Sequence, residues 1–169
     1  SKSGYSGAGN KFDLKKISNN GKKNFYNYNT NQHRHICEID QELSKNSVSE
    51  VKFSFNPHIM PIFRGMMSTS YCDLQHNITT QDVNICLKNY YKKFNFVHII
   101  NNEESVDFFK VQNTNNCYIK LFKHYDESKV IVVSLIDNLL KGASGQAVQC
   151  MNIMFNYDES LGLDNLIGA

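Results

Sequence analysis

The sequence predicts an α+β domain whose sheet is mixed but mainly antiparallel, with helices flanking it. Segments rich in β-branched and aromatic residues are joined by hairpins, and no regular strand–helix–strand units occur. Other segments place apolar residues at helical spacing. The length of 169 residues is sufficient for one domain with its own core, or for one lobe of a larger enzyme.

The first half of the chain predicts short strands around one helix. Ile39 and Leu43 lie one helical turn apart, and Pro57 ends ladder pairing because it has no N–H group. The predicted elements are, in order, a Gly- and Ser-rich opening loop, a strand over 23–35, a short helix over 37–45, a strand over 49–56 and a β-rich run after Gly65.

The second half predicts a capped helix, a hairpin and a final helix. Thr79 or Thr80 can cap a helix whose apolar face begins at Val83. The predicted elements are that helix over 77–94, a strand over 95–100, a hairpin over 116–136 that turns at 126–128, and a glycine loop that leads into a helix over 141–155.

Composition excludes several classes of protein. A formal charge of +2, from 18 basic and 16 acidic residues, gives no support for nucleic-acid binding. The longest apolar run, VIVVSLI over 130–136, is too short to span a bilayer but suits a buried strand. Five scattered cysteines without a CxxC pair predict reduced thiols and a cytoplasmic location.

The segment HRHICEI combines two histidines and a cysteine. On an extended strand His33, His35 and Cys37 would share one face, and imidazole and thiolate are zinc ligands. A fourth ligand is missing from sequence reach, so two partly exposed histidines at a strand end remain the simpler interpretation. A third alternative is that one histidine is an acid/base group, because imidazole titrates near neutral pH.

Arginine is rare in this chain. Only Arg34 and Arg64, among 18 basic residues, are arginine. The guanidinium group is a planar fork that binds a carboxylate or phosphate through two hydrogen bonds, which lysine does not do. The two positions therefore indicate an anionic substrate, with an ordinary structural ion pair as the alternative for either one.

The segment DNLLKGASGQAVQC, over 137–150, indicates an anion site. Gly142 and Gly145 would leave the backbone free, Ser144 could cap the following helix, and a helix N-terminus presents N–H groups to negative charge. Many helices begin in this way, so the pattern alone is weak.

These segments resemble, in order along the chain, those of one enzyme family. They are SKSGYSGAGNK, YNTNQHRHICEIDQ, FNPHIMPIFRGMMST and IDNLLKGASGQAVQCMN, the last being highly specific. The sequence thus resembles the N-acetyl-gamma-glutamyl-phosphate reductases, which are NADP-dependent semialdehyde dehydrogenases of arginine biosynthesis.

The resemblance implies a fold and an organisation. Residues 1–140 would be a substrate-binding and dimerisation domain like the C-terminal domain of glyceraldehyde-3-phosphate dehydrogenase. Residues 141–169 would form a C-terminal helix that packs on an NADP-binding domain outside this chain. The chain would be a C-terminal fragment of a homodimer or homotetramer, inactive alone, and none of its five cysteines matches the family's nucleophile, which precedes it.

The resemblance also implies a reaction. An upstream cysteine thiolate would attack N-acetyl-L-glutamyl 5-phosphate, phosphate would leave, and NADPH would reduce the thioester to N-acetyl-L-glutamate 5-semialdehyde. His35 would be the acid/base residue, and no metal is implied. The substrate would contact Tyr28, His33, Arg34 and Arg64, and NADP would contact Ser6, Gly7, Asn138, Lys141, Gly142, Ser144 and Gly145. The alternative is a binding module or decayed remnant that keeps the fold without catalysis.

Overall fold

A computed structural model describes residues 1–163 of the chain. The helices are α1 (Ile36–Lys45), α2 (Thr80–Tyr91) and α3 (Gly145–Met154), the last preceded by a π-helical turn over Leu140–Ser144. The strands are β1 (Lys2–Gly4), β2 (Ser18–Asn19), β3 (Lys22–Lys23), β4 (Tyr26–Asn27), β5 (His58–Met60), β6 (Met66–Asp73), β7 (Val97–Ile99), β8 (Cys117–Lys123) and β9 (Lys129–Ile136).

The described part of the chain forms a seven-stranded sheet in the order β4-β5-β1-β6-β9-β8-β7, beside the separate β2-β3 ribbon. Strands β1 and β5, and likewise β7 and β8, pair in parallel, whereas the other four neighbouring pairs are antiparallel. The predicted fold class, a mainly antiparallel mixed sheet with flanking helices, is confirmed.

The hairpin and the second helix follow their predicted local chemistry. Asp126 accepts hydrogen bonds from the N–H and hydroxyl groups of Ser128 and so closes the β8-β9 turn. Thr79 and Asp82 form a reciprocal capping box at the start of α2, which satisfies two N–H groups that the helix leaves unpaired. Both elements were predicted because these signals lie within a few residues of each other.

One hydrophobic cluster holds the loop over 100–115 against the middle of the sheet. Ile100, Val111 and Leu135 are each at most 4% exposed. Met67 pairs with Leu135 across β6 and β9 and packs against this cluster. The central strands are therefore the rigid part of the domain.

Of two predicted strands, the one over 23–35 is confirmed only in β4 (Tyr26–Asn27), and the one over 49–56 is wrong. Residues 28–35 form turns that lead into α1, so His33 and His35 do not lie on a strand. Residues 51–57 alternate in burial, as the sequence pattern predicts, but form no ladder, and the strand begins after Pro57 instead of ending there. Asn29 and Asn31 have positive φ angles, which turn the backbone away from the extended conformation.

The predicted glycine loop before the last helix is also wrong. Residues 140–144 are already helical, and the N–H groups of Gly142 and Ser144 bond to carbonyl oxygens of Asp137 and Leu139. Ser144 does not cap α3, since its hydroxyl donates to the Leu139 carbonyl. The predicted segment 141–169 extends past residue 163, so its last six residues lie outside the described residues.

The fully buried carboxylate of Asp137 begins this helix in place of Ser144. Its Oδ1 accepts the backbone N–H groups of Leu139 and Leu140, at 2.8 and 3.0 Å. Its Oδ2 accepts the backbone N–H of Asn113 at 2.8 Å and Nη1 of Arg64 at 3.1 Å. One side chain thus joins the end of β9, the loop before β8 and the segment before β6.

We expect Asp137→Asn to destabilise the domain by about 3 kcal/mol, because an amide NH₂ would face donors whichever way it is turned. Urea unfolding measures the loss. Asp73→Asn is the matched control, since the Asp73 side chain is 81% exposed beside Lys129. Equal unfolding midpoints for the two variants would contradict this prediction.

The two glycines of this segment are expected to differ. A Cβ on Gly145 would lie 2.4 Å from Oδ1 of buried Asn115, whereas a Cβ on Gly142 would have its nearest neighbour at 3.5 Å. Gly145→Ala should therefore cost about 1–3 kcal/mol through overpacking, while Gly142→Ala should leave stability unchanged or slightly higher. Thermal unfolding of both variants tests the difference, and the reverse order would refute it.

Candidate active-site cleft

A cleft of about 590 Å³ opens between the first loop, the turn before α1, β5 and the start of the π-helical turn. Eight of the sequence-predicted site residues line it: Ser6, Gly7, Tyr28, His33, Arg34, His35, Asn138 and Gly142. Four do not: Arg64, Lys141, Ser144 and Gly145. The structure thus brings together segments that are more than a hundred residues apart in sequence.

The first loop is joined closely to the backbone before β6. A Cβ on Gly4 would lie 2.5 Å from the Phe63 carbonyl oxygen, so only glycine allows this approach. The N–H of Gly4 donates to the Gly65 carbonyl at 2.8 Å, and the hydroxyl of Ser6 donates to the Phe63 carbonyl at 2.6 Å. These bonds fix one wall of the cleft.

Asn138 holds the same wall from the other side. Its Oδ1 accepts the backbone N–H of Gly65 at 2.7 Å, and its Nδ2 donates to Ser6 Oγ at 2.8 Å. Gly7 lies directly above, where a Cβ would be 3.5 Å from Nδ2 of Asn138. The amide therefore ties the end of β9 to the first loop and still borders the cleft.

The opposite wall carries a tyrosine and two histidines from the turn before α1. The Oη of Tyr28 lies 3.1 Å from Nε2 of His33, and Nδ1 of His33 accepts the backbone N–H of His35 at 3.2 Å. The His33 and His35 rings meet edge to face, with centroids 4.7 Å apart. His33 is thus held at both ring nitrogens, while the exposed His35 ring faces the cleft without such a constraint.

Burial shifts two of these groups toward their neutral forms. Partial desolvation raises the pKa of the Tyr28 phenol, and the nearby Tyr26 adds to the effect while Arg34 opposes it. Desolvation also lowers the pKa of His33, with contributions from the neighbouring His35 and Arg34. Both groups therefore enter the cleft uncharged at neutral pH.

The two arginines have different surroundings. Arg34 is exposed and lines the cleft, and within residues 1–163 no carboxylate lies within 4.0 Å of its guanidinium. Arg64 instead forms an ion pair with Asp137. An ordinary structural ion pair is the alternative that the sequence allows for either arginine. Direct substrate binding by Arg64 remains a prediction.

Three residues of the π-helical turn and α3 face away from the cleft. Lys141 Nζ donates to Gln149 Oε1 at 2.6 Å and lies over the Phe96 ring, and burial lowers the pKa of this lysine. Gly145 packs against Asn115, and the Ser144 hydroxyl returns to the backbone. Their predicted contact with a cofactor has no geometric support in this conformation.

His58 was missed by the sequence reasoning. It lines the cleft, its ring stacks on Phe25 with centroids 5.1 Å apart, and its Nδ1 lies 3.3 Å from the Asn56 carbonyl oxygen. The available signal was its position in FNPHIMP, one of the segments that carried the resemblance. It is the third histidine of the cleft.

The cleft favours anions. Its polar side chains include Arg34 and three imidazoles, and none of the described residues that line it is aspartate or glutamate.

The metal interpretation has no such support, because within residues 1–163 no group of three or more His, Cys, Asp or Glu side chains could hold a metal ion. Cys37 Sγ contacts the Arg34 carbonyl instead. In the same part of the chain, no helix is long and apolar enough to cross a membrane.

Several known proteins are similar to this chain. It is 40% identical over 98% of its length to the N-acetyl-gamma-glutamyl-phosphate reductase of Ruthia magnifica, covering 47% of that protein. It is 42% identical over 97% of its length to the Thermoanaerobacter enzyme of the same name, covering 48%. For the probable chloroplastic reductase of Arabidopsis thaliana, identity is 38% over 96% of this chain and 40% of the relative. The chain thus spans about half the length of the curated relatives it matches.

The fold is also found in a solved structure. Aspartate semialdehyde dehydrogenase from Francisella tularensis superposes with a TM-score of 0.58 at 16% identity, over 73% of this chain and 36% of that one. This similarity confirms the predicted fold. Residues 1–138 match the semialdehyde dehydrogenase dimerisation domain family, and the chain therefore belongs to that family.

Proposed function

We propose that this chain is the substrate-binding and dimerisation part of an N-acetyl-gamma-glutamyl-phosphate reductase. The whole enzyme would convert N-acetyl-L-glutamyl 5-phosphate and NADPH into N-acetyl-L-glutamate 5-semialdehyde, phosphate and NADP. The observation that carries the proposal is the cleft in which Tyr28, Arg34 and His35 meet the first loop and Asn138. The similarity to reductases of that name supports it.

The charge of the cleft suits this substrate, which carries a carboxylate and an acyl phosphate. Arg34 can bind either group through two hydrogen bonds. No carboxylate of the described residues pairs with its guanidinium, so no ion pair has to break first. Neutral Tyr28 can donate a hydrogen bond to an anionic oxygen. Arg64 would act indirectly. It would bind Asp137 and so stabilise the wall of the cleft to which Asn138 belongs.

Some of the predicted residues of the other wall are placed to contact the nicotinamide end of the cofactor, and others are not. Ser6, Gly7, Asn138 and Gly142 border the cleft, and the two glycines leave it open where a side chain would intrude. NADPH, when bound, would supply a hydride to the thioester carbon. Lys141, Ser144 and Gly145 would support this wall through their contacts with the rest of the domain rather than contact the cofactor.

His35 would handle the proton of the reaction. Its ring lines the cleft and is exposed, so it can meet an oxygen of the bound substrate. The attacking thiolate would come from the other half of the enzyme, and none of the five cysteines of this chain lines the cleft. His35 would protonate the substrate oxygen when the thioester is reduced.

The remaining organisation follows from the same proposal. Four apolar side chains at the end of α3 are at least 46% exposed, and we place the NADP-binding half of the enzyme against them: Met151, Ile153, Met154 and Phe155. The whole enzyme would be cytoplasmic. It would be a homodimer or homotetramer, and the match to a dimerisation domain supports its oligomerisation.

A fusion experiment tests the reductase proposal. This chain would replace the matching half of the Thermoanaerobacter reductase, with which it shares 42% identity. We expect phosphate-dependent oxidation of N-acetyl-L-glutamate 5-semialdehyde by NADP in the fusion and none in the 169-residue chain alone. The controls are the intact relative and the fusion without its nucleophilic cysteine. A folded fusion that binds NADP but stays inactive would contradict the proposal, and it would favour a binding module.

In the active fusion, His35→Ala should lower kcat by roughly two to four orders of magnitude, because general acid/base catalysis contributes that much. Initial rates at saturating substrate measure the loss. His76→Ala is the matched control, since His76 is exposed in the turn before α2 and does not line the cleft. An unchanged kcat in His35→Ala would remove His35 from the mechanism.

A further inference from the structure

His33 lies at the centre of a chain of contacts with a defined direction. Its Nδ1 receives the backbone N–H of His35 at 3.2 Å, and its Nε2 lies 3.1 Å from the Tyr28 hydroxyl. The Tyr28 and Phe55 rings both meet the imidazole edge to face, with centroids 5.4 Å away. The ring therefore has a fixed position and two different partners.

These partners determine where the ring proton lies. A backbone N–H can only donate, so Nδ1 must keep its lone pair and the neutral ring carries its proton on Nε2. That proton points at Tyr28 Oη, which accepts it. Protonation of Nδ1 would set two N–H groups against each other, so the His35 backbone opposes the charged form of His33.

We infer that His33 is a positioning residue, held as the neutral Nε2–H tautomer, that turns the hydroxyl proton of Tyr28 into the cleft. Since Tyr28 Oη accepts from His33, its own hydrogen must point elsewhere. Within residues 1–163 it has no second hydrogen-bond partner, and Tyr28 lines the cleft. Its proton is thus available to an anionic oxygen, carboxylate or phosphate, of a bound ligand.

This assignment gives His33 a role other than direct substrate contact. The part of the inference that concerns Tyr28 rests on the proposed function. His33 would not contact the substrate as a cation; it would act through Tyr28. The charged and titratable groups near the ring agree with a neutral state, since Tyr28, His35 and Arg34 surround it and Glu38 of α1 is the acidic group that opposes them. Phe55 on the remaining side carries no charge.

The ring state is measured directly by histidine nitrogen NMR on this chain. We expect His33 to show the Nε2–H pattern at pH 7 and to protonate at a lower pH than a histidine in an unfolded peptide, about 6.5. A His33 ring that is protonated at pH 7, or that carries its proton on Nδ1, would overturn the inference. This measurement needs no ligand, so it stands apart from the proposed function.

Binding of two probes tests the consequence for Tyr28. N-acetyl-L-glutamate and inorganic phosphate distinguish a carboxylate from a phosphate partner, and calorimetry on this chain gives both affinities. We expect Tyr28→Phe to weaken the preferred probe about tenfold, the effect of one hydrogen bond to a charged group. Binding of neither probe by the unsubstituted chain would reject the Tyr28 part and count against the proposed function.

Two substitutions of His33 separate positioning from charge. His33→Asn can accept the His35 N–H but cannot reach Tyr28, whereas His33→Gln reaches Tyr28 with an N–H donor. We expect His33→Asn to weaken binding about as much as Tyr28→Phe does, whereas His33→Gln should retain most of it. In the Tyr28→Phe background, His33→Asn should cause no further loss. Additive losses, or equal losses for His33→Asn and His33→Gln, would overturn the inference.

Stability gives a further check that is independent of binding. Because the pKa of His33 is lower in the folded state, the unfolded state takes up a proton first as pH falls below about 6.5. Folding stability from this residue is therefore complete above that pH and decreases below it. The free energy of unfolding should fall less between pH 7 and about 5 in His33→Gln than in the unsubstituted chain. An identical or steeper fall in His33→Gln would refute a neutral His33.

Discussion

The architecture depends on one buried carboxylate. Asp137 has no exposed surface, and a carboxylate in that position costs several kcal/mol unless donors replace its water. Four donors from three segments do so, namely the backbone of Leu139 and Leu140, the backbone of Asn113, and the Arg64 guanidinium. The start of the π-helical turn is therefore tied to the loop before β8 and to the segment before β6.

The cleft is a consequence of that junction. Asp137 and Asn138 are consecutive, so the segment that the buried carboxylate holds also carries Asn138, which joins Ser6 to Gly65. This wall of the cleft is thus built by a residue whose position depends on its buried neighbour. Arg64 does not line the cleft, and its ion pair with Asp137 supports this wall.

The sequence predicted those parts of the fold whose signals are local. The β8-β9 hairpin and α2 are specified by Asp126, Thr79 and Asp82, each within three residues of its partner. The turn before α1 replaces the predicted strand because Asn29 and Asn31 adopt the left-handed conformation that asparagine tolerates. The π-helical turn has a local cap in Asp137, but the burial of that carboxylate depends on contacts with residues 64 and 113, which are distant in sequence.

The sequence predicted the chemistry of the candidate site better than the roles of its individual residues. The residue types in HRH indicated acid/base chemistry, but the distinct roles of His33 and His35 come from geometry alone, since only one of the two rings is bonded at both nitrogens. The cleft that results has anion donors and proton-carrying groups but none of the chain's thiols. Under the proposed function, the attacking thiolate would therefore belong to the part of the enzyme that this chain does not span, since the chain covers about half the length of its relatives.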